Sequence, residues 1–352
     1  MEFFTEWQVI KVLFLATLSF VVAIAWTPLL THFLYKYKMG KSIRDASANT
    51  PVFTKLHQHK AGTPVMGGML VWVTTLVLAV LFFYLAKLFD LGIFEKLNFL
   101  TRAETLLPLG ALVASAIVGW FDDYLNVKKI GPKGGGLRMK HRLVLYTAIA
   151  AFAAWWFYFK LDFDVLWVPF VGNITIGWWY IPIIIFVIVA TSFSVNEIDG
   201  LDGLAGGTLL AAFLSFGTIA FLQGKFDLAA FCGVIMGGLL AFLWFNITPA
   251  RFFMGDTGAM SLGVTVGVIA LLTNTSLLLP IIGLLFVIES LSVIIQMISK
   301  KIRKKKIFKS TPIHHHFEAV GWSEPKIVMR FWVIAGMTAV LGIMIYLVTW
   351  PR

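Results

Sequence analysis

The sequence predicts an all-α membrane protein, a polytopic bundle of about ten transmembrane helices with both termini outside and one short periplasmic β-hairpin. Three observations carry that expectation. Apolar residues make up 59% of the 352 and charged residues only 13%, against about 25% in a soluble domain. Mean hydropathy is +0.85. The apolar residues fall in runs that match a hydrocarbon core ~30 Å thick, which takes roughly 20 residues of helix to cross. Period-two alternation is almost absent, so a soluble globule is excluded and no nucleic-acid partner is expected.

The runs lie near 8–35, 65–88, 105–121, 142–160, 179–196, 204–222, 228–246, 259–275, 277–299 and 327–349, and form one integral membrane domain over 1–352. The first has Glu2 and Glu6 ahead of it and no small-residue cleavage site after Trp26-Thr27-Pro28, so it reads as a retained helix. Between runs four and five, Phe163 to Tyr180 alternates around Gly172-Asn173, the pattern of an interfacial hairpin with Trp167, Trp178 and Trp179 as anchors. The single Cys232, inside an apolar run, forms no intrachain disulfide and carries no redox or zinc signature.

Loop charge orients the bundle, because Lys and Arg collect in short cytoplasmic loops. Lys36, Lys38, Lys41, Arg44, Lys55 and Lys60 follow run one, and Lys128, Lys129, Lys133, Arg138, Lys140 and Arg142 follow run three. Arg251 follows run seven, and a long basic series from Lys300 to Arg330 follows run nine. The opposite side holds Lys87, Lys96, Arg102, Lys160 and Lys225. The net charge of +11 therefore lies mostly on one face, where it serves topology and attracts lipid headgroups or phosphorylated substrates.

The chemistry-bearing residues concentrate on the same face. Asp122 and Asp123 end an otherwise uncharged run, a costly placement unless a cation compensates it, and a metal ion is expected there. Upstream, Lys60 precedes Gly67-Gly68 at a helix start, whose backbone amides can face an anion. Lys128 to Gly136 is a basic glycine loop able to close over a phosphate or to serve as a plain linker. Asn196, Asp199, Gly200 and Asp202 end run five, with the two acids one turn apart and no Lys or Arg nearby in sequence. Helix capping is the structural alternative for Asp202. Asn246 ends run seven, followed by Phe253, Gly255 and Asp256 in a tight turn. Glu289 and Gln296 share one stripe of run nine, which predicts an intramembrane groove for a lipid headgroup, with a buried interhelical hydrogen bond as the alternative. His314, His315 and His316 follow, three neighbours poorly arranged for one metal and better suited to phosphate or nucleotide contact. Acids, amides and histidines beside excess Lys on one face describe a site for a metal and a polyanion, and the matching chemistry is phosphoryl transfer.

These residues also carry a resemblance over nearly the whole chain. Gly62-Thr63-Pro64 with Met66-Gly67-Gly68, Asp122-Asp123-Tyr124, Asn196 with Asp199-Gly200-Leu201-Asp202-Gly203, Phe245-Asn246 with Met254-Gly255-Asp256, Glu289-Ser290-Leu291-Ser292-Val293, and Pro312 to Glu318 resemble the polyprenyl-phosphate N-acetylhexosamine-1-phosphate transferase superfamily. Within it they resemble the phospho-N-acetylmuramoyl-pentapeptide transferase (MraY) family, which the His triplet favours over relatives that transfer GlcNAc-1-phosphate. The chain departs from the family pattern at Val65, at Glu197-Ile198 and at Ala48-Asn49-Thr50-Pro51.

The resemblance implies transfer of phospho-MurNAc-pentapeptide from UDP-MurNAc-pentapeptide to undecaprenyl phosphate, with Mg²⁺ held by Asp256. It implies a catalytic set of Asp122, Asp123, Asp256 and His314. Asp122 would activate or orient the lipid phosphate, with Asp123 beside it. Lys60, Asn196, Asp199, Gly200, Asp202, Asn246, Phe253 and Gly255 would contact the uridine and diphosphate, and His315 and His316 would support the substrate. A homodimer in the bacterial cytoplasmic (inner) membrane, with the active site on the cytoplasmic face, is also implied. Two alternatives stand beside this: a sister transferase for another sugar, and a transporter, which the placement of the acids at helix ends rather than at midplane disfavours.

Overall fold

The computed structural model describes residues 6–40, 60–102, 104–131 and 135–351. In chain order, α1 is Glu6–Lys36, α2 Met69–Leu88, α3 Gly92–Leu97, α4 Leu106–Val127, α5 Met139–Lys160, α6 Tyr180–Ile198, α7 Leu204–Leu222, α8 Phe226–Asn246 and α9 Gly255–Leu272. The short α10 (Leu279–Ile282), α11 (Leu284–Ile302), α12 (Ile313–Val320) and α13 (Glu324–Thr349) complete the helices. Among the described residues nine helices are long and apolar enough to cross a membrane, and a bent pair, counted as one span, brings the number to ten. The chain is a multi-pass, all-α membrane protein.

Helix α9 lies at the centre with nearly every residue buried. Gly258, Ala259, Ser261, Gly263, Thr265 and Gly267 keep its surface low, so α4 and α6 pack directly on it. Its hydroxyls find carbonyl partners: Ser261 donates to the Thr257 carbonyl at 2.6 Å and Thr265 to the Ser261 carbonyl at 2.7 Å, and Thr257 donates across to the Ala116 carbonyl of α4 at 2.8 Å. This matters where no water is at hand. Helix α8 sits between α1 and α7, and α13 covers α7. At the rim α1, α5 and α13 turn Leu13, Leu29, Phe152, Val333 and Val348 outward, the surface a hydrocarbon solvent requires.

The ninth run differs from the single helix the sequence predicts. Ser276–Ile282 and Leu284–Ile302 meet at 81°, with Gly283 at the corner. A Cβ at Gly283 would stand 2.8 Å from the Phe286 ring and 3.0 Å from the Leu279 carbonyl, so the corner depends on a residue without one. Glycine is common inside membrane helices, which is why hydropathy alone passes over the break. Beyond it α11 buries Glu289, Ser292, Gln296 and Ser299 and turns Ile288, Leu291, Ile295 and Ile298 outward.

The hairpin pairs β1 (Val165–Val168) with β2 (Gly172–Thr175) antiparallel, Val165 opposite Thr175 and Val168 opposite Gly172. Its turn therefore falls at 169–171, one step before the Gly172-Asn173 pair that the alternation centres on. Trp167 is a core residue rather than an interfacial anchor. It is fully buried against Tyr346 and Trp350, with ring centroids 6.2 and 5.1 Å away, because the end of α13 closes over the hairpin. Trp178 and Trp179 stack on each other at 4.3 Å and stay exposed.

Candidate active site

Alternation of the spans brings the ends of α4, α6 and α8 and the starts of α5, α7, α9 and α13 to one end of the bundle. Asp122 and Asp123 lie near the end of α4, and being sequence neighbours on a helix they point about 100° apart. Asp123 turns to the N-terminus of α9. Its Oδ1 accepts the Asp256 amide and its Oδ2 the Thr257 amide, each at 3.0 Å. Two of the four amides a helix start leaves unpaired are met by a buried carboxylate, a favourable position for negative charge. Close approach makes this possible: a Cβ at Gly119 would overlap the Asp256 carbonyl, and Gly255, at φ +73°, leads the chain into α9 beside Asp123.

Asp122 is fully buried and faces the other way. Its Oδ1 accepts the Leu137 amide at 2.6 Å, so the end of the glycine loop packs directly on it. Its Oδ2 lies 2.5 Å from Arg142 Nε. The same guanidinium donates from Nη1 and Nη2 to the two oxygens of Asp256 at 3.2 and 2.8 Å, and from Nη1 to Asn196 Oδ1 at 3.3 Å. Asn196 closes the ring by donating Nδ2 to Asp256 Oδ1 at 2.5 Å. Two acids and an amide from α4, α9 and α6 thus converge on one cationic side chain from the first turn of α5.

A second cluster lies beside the first. Lys60 Nζ donates to Asp202 Oδ1 at 2.7 Å and to Glu324 Oε1 at 2.5 Å, with the Phe253 ring centroid 5.8 Å away. Asp202 accepts the Ala250 amide on its other oxygen at 3.1 Å, and its own amide donates to Glu324. Asp202, without a basic neighbour in sequence, therefore has one in space. Asn246 accepts the Gly203 amide and donates to the Phe252 carbonyl, both at 2.8 Å, and so staples the starts of α7 and α9 together. Asp199 and Gly200 end α6 half-buried. The amides of Gly67 and Gly68 do not face an anion. They donate to the Phe253 and Met254 carbonyls at 2.7 and 2.9 Å.

Glu289 and Gln296 do not line an open groove. Glu289 is fully buried with Oε2 3.0 Å from Nδ1 of the equally buried His314. Gln296 accepts the Ile307 and Phe308 amides at 2.9 and 3.1 Å and donates to the Phe308 carbonyl, pinning the loop after α11. A polar stripe in hydrocarbon is driven inward, and here the loop and α12 supply its partners. The three histidines diverge. His314 packs against Gly200, His315 pairs with Glu318 at 2.6 Å, and His316 accepts the Lys309 amide at 3.1 Å. Consecutive helical residues cannot share a face, so the triplet is three separate contacts rather than one ligand cluster.

Residues 105–274 match the Glycosyl transferase family 4 description. The chain is 38% identical over 351 residues to the phospho-N-acetylmuramoyl-pentapeptide-transferase of Chloroflexus aggregans, covering 96% of this chain and 90% of the relative. It is 40% identical over 337 residues to the enzyme of that name from Bacillus anthracis, covering 94% and 96%. The chain belongs to the phospho-N-acetylmuramoyl-pentapeptide transferase family. In this transferase, among the described residues, no three His, Cys, Asp or Glu side chains form a closed metal cage. The available donors are oxygens of Asp122, Asp256 and Asn196, a hard set that suits a magnesium ion sharing its shell with substrate phosphates. Of the positions that the sequence reading set apart, Val65 is buried with its amide on the Met39 carbonyl at 2.9 Å, Glu197 is half-buried on α6, and 48–51 lie outside the described residues.

Two site residues escape a reading of the sequence. Arg142 looks like one more loop charge, and Glu324, ahead of a proline at a helix start, looks like an ordinary first-turn acid. Only the basic glycine loop directly ahead of α5 marks the first.

Proposed function

We propose that this transferase moves phospho-MurNAc-pentapeptide from UDP-MurNAc-pentapeptide to undecaprenyl phosphate, in the bacterial inner membrane and on its cytoplasmic face. A phosphate oxygen of the lipid attacks the β-phosphorus. The bond from that phosphorus to the bridging oxygen breaks, and UMP leaves with the oxygen. The observation that carries this is the convergence of Asp122, Asp256 and Asn196 on one cation at a single end of an apolar bundle. A lipid phosphate held at the bilayer surface and a soluble nucleotide sugar can meet only at such an end.

Asp256, with Asn196 and Asp122 beside it, would hold Mg²⁺. The ion would supply neutralisation of the diphosphate oxygens. Asp122 orients the lipid phosphate and takes up any proton it carries. Asp123 holds the start of α9, and with it Asp256, in place. The second cluster, with Lys60, Asp202, Asn246, Phe253, Asp199 and Gly200, is the place for the uridine and the rest of the diphosphate, and the working form is a homodimer.

Purified protein should release UMP from UDP-MurNAc-pentapeptide only when undecaprenyl phosphate and a divalent ion are both present. Equal release from UDP-GlcNAc would move the chain to the sister activity. No release from either sugar would sink the reading.

A further inference from the structure

Arg142 contacts Asp122, Asp256 and Asn196 at once. It is largely buried, and among the described residues it is the one Lys or Arg that forms an ion pair with Asp122 or Asp256. Its fit to the two acids differs. The guanidinium fork is aligned on Asp256, donating to both carboxylate oxygens, as bidentate pairing requires. Toward Asp122 it offers proximity without alignment: Nε stands 2.5 Å from Oδ2, yet neither atom has a hydrogen-bonding geometry with any partner. As placed, the fork is committed to Asp256 and Asn196 and leaves Asp122 Oδ2 without an aligned donor. A spherical ion has no such directional demand, and to reach both carboxylates it would have to occupy the volume that the guanidinium fills.

We propose that Arg142 is the resident counter-ion of this centre. It offsets one of the two negative charges of Asp122 and Asp256 and keeps Asn196 in register while no divalent ion is bound, and it is displaced when the ion enters. Arg142 is thus a positioning residue in competition with the metal for the same oxygens. Once displaced, its guanidinium, carried on the first turn of α5, is free to donate to the oxygens of a diphosphate, which its planar fork can meet two at a time. The inference rests on the divalent-dependent phosphoryl-transfer reading above, and adds that a cationic side chain occupies the site before the metal arrives.

The test uses the full chain in detergent, without substrate, and reads Mn²⁺ binding by electron paramagnetic resonance. Arg142→Gln removes the competing charge and should bind Mn²⁺ about tenfold more tightly than wild type, the scale of losing one like charge at contact distance. Arg142→Lys keeps a charge and should stay near wild type. A purely structural arginine would give the opposite result, since its loss would loosen the site and weaken binding. Equal or weaker binding by Arg142→Gln overturns the proposal. Should that variant fold poorly, the wild-type chain answers alone: phenylglyoxal should modify Arg142 faster with saturating Mn²⁺ than without, and unchanged or slower labelling overturns the proposal equally. If neither chain retains Mn²⁺ while divalent-independent UMP release persists, the metal reading has failed, and this inference falls with it.

Discussion

Asp122 and Asp123 are chemically identical neighbours, and their surroundings separate their roles. Asp123 accepts two backbone amides and Asp122 faces a guanidinium. Replacing Asp123 by Asn puts an NH₂ group against an amide N–H in a buried site, a loss of about 1–3 kcal/mol. Asp123→Asn should therefore lower the thermal unfolding temperature and also disturb Asp256. Asp256→Asn changes no volume and removes the charge that would meet Mg²⁺. It should cut turnover on the order of 100-fold or more, the scale of losing one preorganised electrostatic contact, with a smaller thermal shift than Asp123→Asn. Fluorescence-detected melting and UMP release on both variants check this. Equal melting losses would erase the distinction between the two residues.

At the scale of elements, the docking of α12 on the end of α6 links the His loop to the cluster proposed for the nucleotide. His314 is held between Glu289 on α11 and Gly200, where an added Cβ would overlap its Nε2. Gly200→Ala should push α12 aside and lower kcat/KM for the nucleotide sugar by about 10-fold to 100-fold, the effect of a small misplacement of a positioning group. The KM for lipid phosphate should change little. A matching rise in both KM values would show that α12 serves the lipid side as well. Glu289, placed by its spacing in a lipid groove, is closed into this contact instead, so Glu289→Gln should reduce thermal stability before it alters either KM. The corner at Gly283 turns α11 by 81° from the segment before it, and the polar stripe of α11 meets α12 and the loop ahead of it.

At the scale of the whole molecule, the end of the bundle opposite the acid centre carries its own buried and half-buried ionisable groups. Lys11 pairs with Asp227 at 2.6 Å, and Glu104 accepts the Leu228 amide at 3.1 Å. Burial, the larger cause, and the nearby Asp227 raise the Glu104 carboxyl above its usual range. A group whose pKa is raised on folding stabilises fully below its unfolded value, and that contribution is lost as pH rises through the folded one. Wild type should therefore lose stability from this source as pH climbs out of the acid range, and Glu104→Gln, which keeps the acceptor, should flatten the loss. Melting temperature against pH for both chains checks the sign. The number of spans, their order and the crowding of polar residues on one face were determined by sequence alone. Hydropathy and loop charge record the cost of moving each group into hydrocarbon, and that cost is local. Which polar groups meet was decided by the tertiary structure. Arg142 finds Asn196 and Asp256 54 and 114 residues away, and Lys60 finds Asp202 and Glu324 142 and 264 away. The break at Gly283, the burial of Trp167 and the divergence of the three histidines belong to the same class, because each depends on which helix ends pack together and no one-dimensional pattern records that.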